Sequence, residues 1–201
     1  MRTSHDQRLV NAADTTMAET INRIVATFRQ ATPSDIEAGA TWYANGEILV
    51  GDLAKNSAYS RETVAAVIAH LSPRTQWARN VAGATVLLMS SGTARPEGCM
   101  SANVDRALKA MESFDPLATL RGPKTRRFAA NLLGDRESVT VDVWTAHVAL
   151  GEHDTTGNIL ARVGVYDAIE HAYRLAARRL GVDPTTCQAT CWIVSRNGRS
   201  A

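Results

Sequence analysis

The sequence predicts an all-helical chain, and three observations carry that expectation. Apolar residues recur at helical spacing, helix start and stop residues bracket those stretches, and the one strand-like segment has no second strand to pair with. Ile21, Ile24, Val25 and Phe28 fall at i, i+3, i+4 and i+7, one face of a helix that Pro33 must end. Val64, Val67, Ile68 and Leu71 repeat the pattern, with Ser60 placed to accept the first free amides and Pro73 closing the element. Further helices are expected over 76–89, 103–111, 124–133, 166–180 with Gly181 as the stop, and 184–194. The Gly/Pro/Ser-rich stretches 90–101 and 151–157 are expected to be loops. Val139, Val141 and Val143 alternate with Thr140 and Asp142, which is the period of a strand. The alternative makes Asp142 the cap of a helix over 143–150 that Gly151 terminates, and with no partner strand elsewhere that alternative is adopted.

Composition narrows the class of protein. A chain of 201 residues, 45% hydrophobic, is long enough to bury a core as one domain or as two small lobes. No apolar run approaches the ~18 residues that cross a bilayer, and the start MRTSHDQRLV lacks the apolar stretch of a secretion signal. No membrane partner is expected, and a cytoplasmic location is. Cys99, Cys187 and Cys191 are an odd number with no second pair, and His70, His153 and His171 show no ligand spacing, so neither a metal site nor a cofactor is expected. A net charge of +2 does not by itself argue for a polyanion partner. Its distribution says more. Arg121, Lys124, Arg126, Arg127 and Arg136 face the single acid Asp135, and Arg174, Arg178, Arg179, Arg196 and Arg199 face only Asp183, so two basic segments are available to nucleic acid.

Chemistry concentrates between residues 120 and 150. A Gly122-Pro123 turn leads into a helix, which aims backbone amides and the positive end of the helix dipole at whatever lies in front, as suits a phosphate. Lys124, Thr125, Arg126 and Arg127 occupy its first turns, where cations are misplaced by a few tenths of a kcal/mol unless an anion faces them. Asp142 follows Lys124 by 18 positions, so an amine nucleophile and a carboxylate at two helix starts can face one cleft. Taken alone, the same residues favour the plainer reading of a solvated lysine and a helix cap.

The pattern G-P-K-T-x-x-x-A, followed 18 residues after the lysine by V-x-V-D, resembles the helix-hairpin-helix DNA glycosylase superfamily, the endonuclease III-like enzymes. There a hairpin L-P-G-V-G-x-K-T-A carries a catalytic lysine and V-D-T-H carries an essential aspartate at the same separation. Upstream, Val64 to Asn80 (VAAVIAHLSPRTQWARN) is similar to the family's early helix ending L-L-S-x-Q-x-T, whose following loop helps wedge the duplex open. The two matches span about Val64 to Leu150. Their wording is also similar to a divergent phage and actinobacterial branch without the iron–sulfur cluster. The chain departs from the pattern in three places: the hairpin is two residues shorter, Trp144 stands where the family has histidine, and His147 stands where an arginine is common. The four-cysteine cluster loop is absent.

The resemblance implies a single helix-hairpin-helix glycosylase-like unit over 1–201, in two lobes flanking a cleft. One lobe covers 60–134 and ends in the hairpin; the other combines 1–59 with 135–201. It implies a DNA base glycosylase with strand-cleaving lyase activity, working in base excision repair or DNA modification on double-stranded DNA with a damaged or modified base. Lys124 would attack the sugar C1′ of an extruded nucleotide, and Asp142 would stabilise the cationic transition state. Arg74, Thr75, Gln76, Arg121, Gly122, Thr125, Arg126 and Arg127 would contact DNA, with Arg74 or Gln76 on the orphaned base. Trp77, Asn80, Trp144 and His147 would line the pocket, although Trp77 read alone is a core anchor with Trp144, and His147 alone a core histidine. Trp192 and Arg196, four apart, would pack as a cation–π pair or touch DNA. Two other functions fit the same residues: a phage-type transferase that modifies thymine on this fold, or a DNA-binding module without catalysis.

Overall fold

A computed structural model of the chain describes residues 4–151 and 158–197. The described residues form ten α-helices, two short 3-10 turns and no strand. The helices are α1 (Ser4–Ala13), α2 (Met17–Arg29), α3 (Pro33–Lys55), α4 (Arg61–Leu71), α5 (Trp77–Met89), α6 (Ser101–Glu112), α7 (Pro123–Leu132), α8 (Val143–Leu150), α9 (Val165–Leu180) and α10 (Pro184–Arg196). The chain divides into two compact units, Met1–Tyr43 with Arg136–Ala201, and Ala44–Asp135. Residues 44–59, grouped by sequence with the chain termini, thus cluster with 60–135. Contacts of the second half of α3 account for this: Gly46 lies against Leu132, and Glu47 pairs with Arg61 at 3.6 Å. No described helix is long and apolar enough to cross a membrane.

In the first unit α9 packs against α1, α2 and α10, over a core that includes Leu9, Ile24, Phe28, Leu150, Ile169 and Tyr173. Capping sets the helix limits. Thr16 and Glu19 form a reciprocal capping box at the start of α2, Asp142 accepts from the Thr145 amide at 2.8 Å to start α8, and Asp183 accepts from the Thr186 amide at 2.7 Å to start α10. Gly181, at φ 71°, stops α9 as expected. Pro33 plays a different part from the expected one: α2 has already ended at Arg29, and Pro33 opens α3 behind a reciprocal pair of hydrogen bonds between Thr32 and Asp35.

The alternating segment before Asp142 is neither helix nor strand among the described residues. Its backbone groups are taken by side chains of α9 instead. The Val139 amide donates to Glu170 Oε1 at 3.0 Å, the Tyr166 hydroxyl donates to the Val139 carbonyl at 3.0 Å, and the Val141 amide donates to that hydroxyl at 2.9 Å. Val139 and Val141 are both fully buried, so each of these groups would otherwise be an orphan. Glu170 is itself buried and is held by Arg174 at 2.7 Å.

In the second unit α4 lies at the centre. Every residue from Thr63 to Leu71 is buried, and α5, α6 and α7 pack around it. Ala65, Ala66 and Ala69 on the faces away from Val64, Val67, Ile68 and Leu71 let those neighbours approach closely. Ser60 caps the helix through the Thr63 amide at 3.2 Å, as expected.

Replacing Tyr166 by Phe removes both hydrogen bonds to the 139–141 segment and leaves a buried amide and carbonyl unpaired. A loss of about 2 kcal/mol in urea unfolding is expected. Stability also depends on pH through two histidines. Burial, then His5, Arg178 and Arg174, hold the His171 pKa below the ordinary 6.5, and burial with Arg106 does the same for His70. The unfolded chain therefore takes up these protons first. Stability is complete above pH 6.5 and falls as the pH drops below it, which unfolding midpoints measured between pH 7.5 and 5 will record.

Candidate functional site

Lys124 belongs to the second unit and Asp142 to the first. In the second unit, Gly122 is the N-cap of α7 and contributes no capping side chain, and Pro123 occupies the first helical position. Lys124 is therefore in the first turn, half-buried, with no ion pair among the described residues. Two neighbours tie the turn to its own backbone: the Thr125 hydroxyl donates to the Gly122 carbonyl at 3.0 Å, and Arg126 Nε to the Leu120 carbonyl at 2.6 Å. Leu120 is buried and anchors the turn, while Arg121 is exposed. The Leu120–Lys124 connection is thus held to its own backbone by two side-chain hydrogen bonds.

The loop after α4 belongs to the same unit. Asn103 Nδ2 donates to the Pro73 carbonyl at 3.2 Å, and His70 bonds to Thr119 at 2.8 Å through Nε2. The second bond ties the end of α4 to the 3-10 turn Leu117–Thr119 that precedes Leu120. Arg74 has φ 59°, a conformation that costs a non-glycine residue about 1 kcal/mol, and its side chain is exposed. Gln76 starts α5 without a side-chain cap. Trp77 meets the ring of Phe128 edge-on, with centroids 6.2 Å apart, and Phe128 lies one helical turn beyond Lys124. The 64–80 match and the G-P-K-T part of the other match therefore lie within one compact unit, whereas its V-x-V-D part, with Asp142, belongs to the first unit. Asn80 is buried on α5, and its Oδ1 has no hydrogen-bond partner among the described residues. Trp77 is thus held by Phe128, whereas Trp144 is 44% exposed and is no core anchor.

In the first unit, Asp142 is half-buried and does more than cap α8. Its Oδ1 accepts from the Thr145 amide at 2.8 Å and from the Thr145 hydroxyl at 2.9 Å, and its Oδ2 accepts from the Trp192 indole N–H at 3.2 Å. The Thr145 hydroxyl accepts in turn from Gln188 Nε2 at 3.1 Å, and Gln188 Oε1 accepts from the Tyr43 hydroxyl at 2.9 Å. Burial pushes the Tyr43 phenol well above its ordinary pKa, so it remains a donor at every pH of interest. Arg196 lies over the Trp192 ring at 4.8 Å, which realises the expected cation–π pair. Val143 and Trp144 are exposed in the first turn of α8, and His147 is half-buried one turn on.

Sequence reasoning missed Tyr43, Thr145, Gln188 and Trp192 as partners of Asp142. Gln188 and Trp192 are four apart on α10, so helical spacing was the one available signal. Among the described residues no group of three or more histidines, cysteines or acids could hold a metal ion.

These features define an all-helical protein with a strained arginine loop beside a lysine-bearing helix start in one unit, and a doubly held aspartate in the other. The model of a family of unknown function (DUF7178) matches residues 6–199, and the chain belongs to that family. No curated protein and no solved structure matches it.

Replacing Arg74 by Gly removes the left-handed strain. A gain of about 0.5–1 kcal/mol in thermal or chemical unfolding is expected, since glycine adopts φ 59° without a Cβ clash.

Proposed function

We propose that this chain is a DNA base glycosylase with lyase activity, on a helix-hairpin-helix glycosylase-like fold. Lys124 is the nucleophile that displaces the base at C1′ and forms a Schiff base with the sugar. Asp142 stabilises the positive charge developing on that sugar. The observation that carries the proposal is the adjacency, within one unit, of the Arg74 loop and the Lys124 helix start through Trp77 and Phe128. The family-like pattern needs these two segments to serve one strand of DNA: one opens the stack and the other attacks. Strain stored at an exposed arginine supports a role for that side chain outside the fold, because a purely structural turn would favour glycine.

Charge supports the same conclusion. Arg74, Arg121, Lys124, Arg126 and Arg127 cluster in the segments just described, with no acid in the first turn of α7. Each phosphate neutralised by such a residue releases counterions and gives a salt-dependent affinity.

Borohydride trapping on duplex DNA carrying an abasic site or a damaged base tests the proposal. A covalent adduct is expected with the unaltered chain, and its loss in Lys124→Ala while duplex binding persists. Duplex binding without any adduct would instead identify a non-catalytic DNA-binding module. A change of nucleoside mass in modified phage DNA, again without an adduct, would identify a transferase on the same fold.

A further inference from the structure

The hydrogen bonds at Asp142 distinguish its two oxygens. A carboxylate oxygen has two lone pairs in its plane, and Oδ1 spends both on Thr145, one on the amide and one on the hydroxyl. Oδ2 spends one on the Trp192 indole N–H and, among the described residues, keeps one. Capping a helix needs only the bond from the Thr145 amide, so the indole bond, from a residue 50 positions away on another helix, is not explained by the start of α8. Gln188 and Trp192, on one face of α10, hold the carboxylate from both ends, the first through the Thr145 hydroxyl and the second directly. The Tyr43 hydroxyl fixes which way the Gln188 amide points.

We infer that Trp192 is the positioning residue of Asp142 and that Oδ2, aimed by the indole, is the oxygen that meets the substrate. The inference rests on the proposed role of Asp142. Oδ1 is saturated among the described residues and acts only as the hinge of the side chain. Trp192→Phe is the informative variant, because it keeps an aromatic ring on α10 near Trp42, where the centroids are 6.4 Å apart, and Arg196, and removes the N–H together with the five-membered ring that carries it.

The full chain, labelled with nitrogen-15, is to show an indole signal that Trp192→Phe deletes. Asp142→Asn is expected to displace that same signal, because the acceptor changes from a carboxylate to an amide. In the trapping assay, Trp192→Phe is expected to slow adduct formation about tenfold while duplex affinity stays within about twofold, the split of an interaction used only in the chemical step. An indole signal unmoved by Asp142→Asn overturns the inference whatever the activity. Adduct formation at the original rate in Trp192→Phe overturns it as well. A displaced signal in a chain that never forms an adduct overturns the glycosylase proposal alone and leaves Trp192 as the group that orients Asp142.

Discussion

The buried peptide groups between Ser138 and Val141 impose the constraint on which the rest of the first unit depends. A segment outside regular structure carries amides and carbonyls that need partners, and leaving one unpaired in the core costs about 1–3 kcal/mol. Here a helix supplies them. Tyr166 and Glu170, one turn apart on α9, reach the segment with a hydroxyl and a carboxylate, and Arg174 a turn further balances the carboxylate and donates to the Glu137 carbonyl at 2.8 Å. The segment is held in register by three side chains at helical spacing, and Asp142 emerges from it at a defined point beside α10.

Helix α10 has an unusual composition. All residues from Pro184 to Cys191 are buried although four of them are threonine or glutamine. A buried polar side chain is tolerated when its hydrogen bonds are made, and Gln188 makes its bonds to Tyr43 and Thr145. The close approach of α3 is part of this arrangement. A Cβ at Gly39 would collide with Thr190, whose backbone nitrogen would lie 2.8 Å away, so only glycine lets α3 bring Tyr43 within reach of Gln188.

The second unit is organised by a different principle. Helix α4 is buried on all sides, and its alanines allow three helices to pack against it. Its C-terminal end carries the irregular features: the Arg74 turn, the His70 bond to Thr119 and the Asn103 bond to Pro73. A rigid, apolar centre can sustain strain at its rim because the surrounding bonds over-determine the turn. Loop segments mounted in this way present side chains at low conformational cost.

Most helices were legible in the sequence, because their limits depend on local chemistry. Ser60, Asp142, Gly151, Gly181 and the apolar spacing of α2 and α4 act within a turn or two of the chain, and the choice of a cap over a strand at Asp142 followed from the absence of a pairing partner. Helix α3 was not legible. It carries three glycines and no continuous apolar face, since its first half packs in one unit and its second half in the other. The residues that hold Asp142 were hidden for a related reason: hydrogen-bonded partners in this set, such as Tyr43 and Gln188, lie as much as 145 positions apart. Local propensity and capping are properties of neighbours along the chain, so sequence alone determined where helices begin and end. Which buried donors meet which acceptors depends on how helices cross, and only the tertiary structure decided that the cap of α8 would also be an oriented carboxylate.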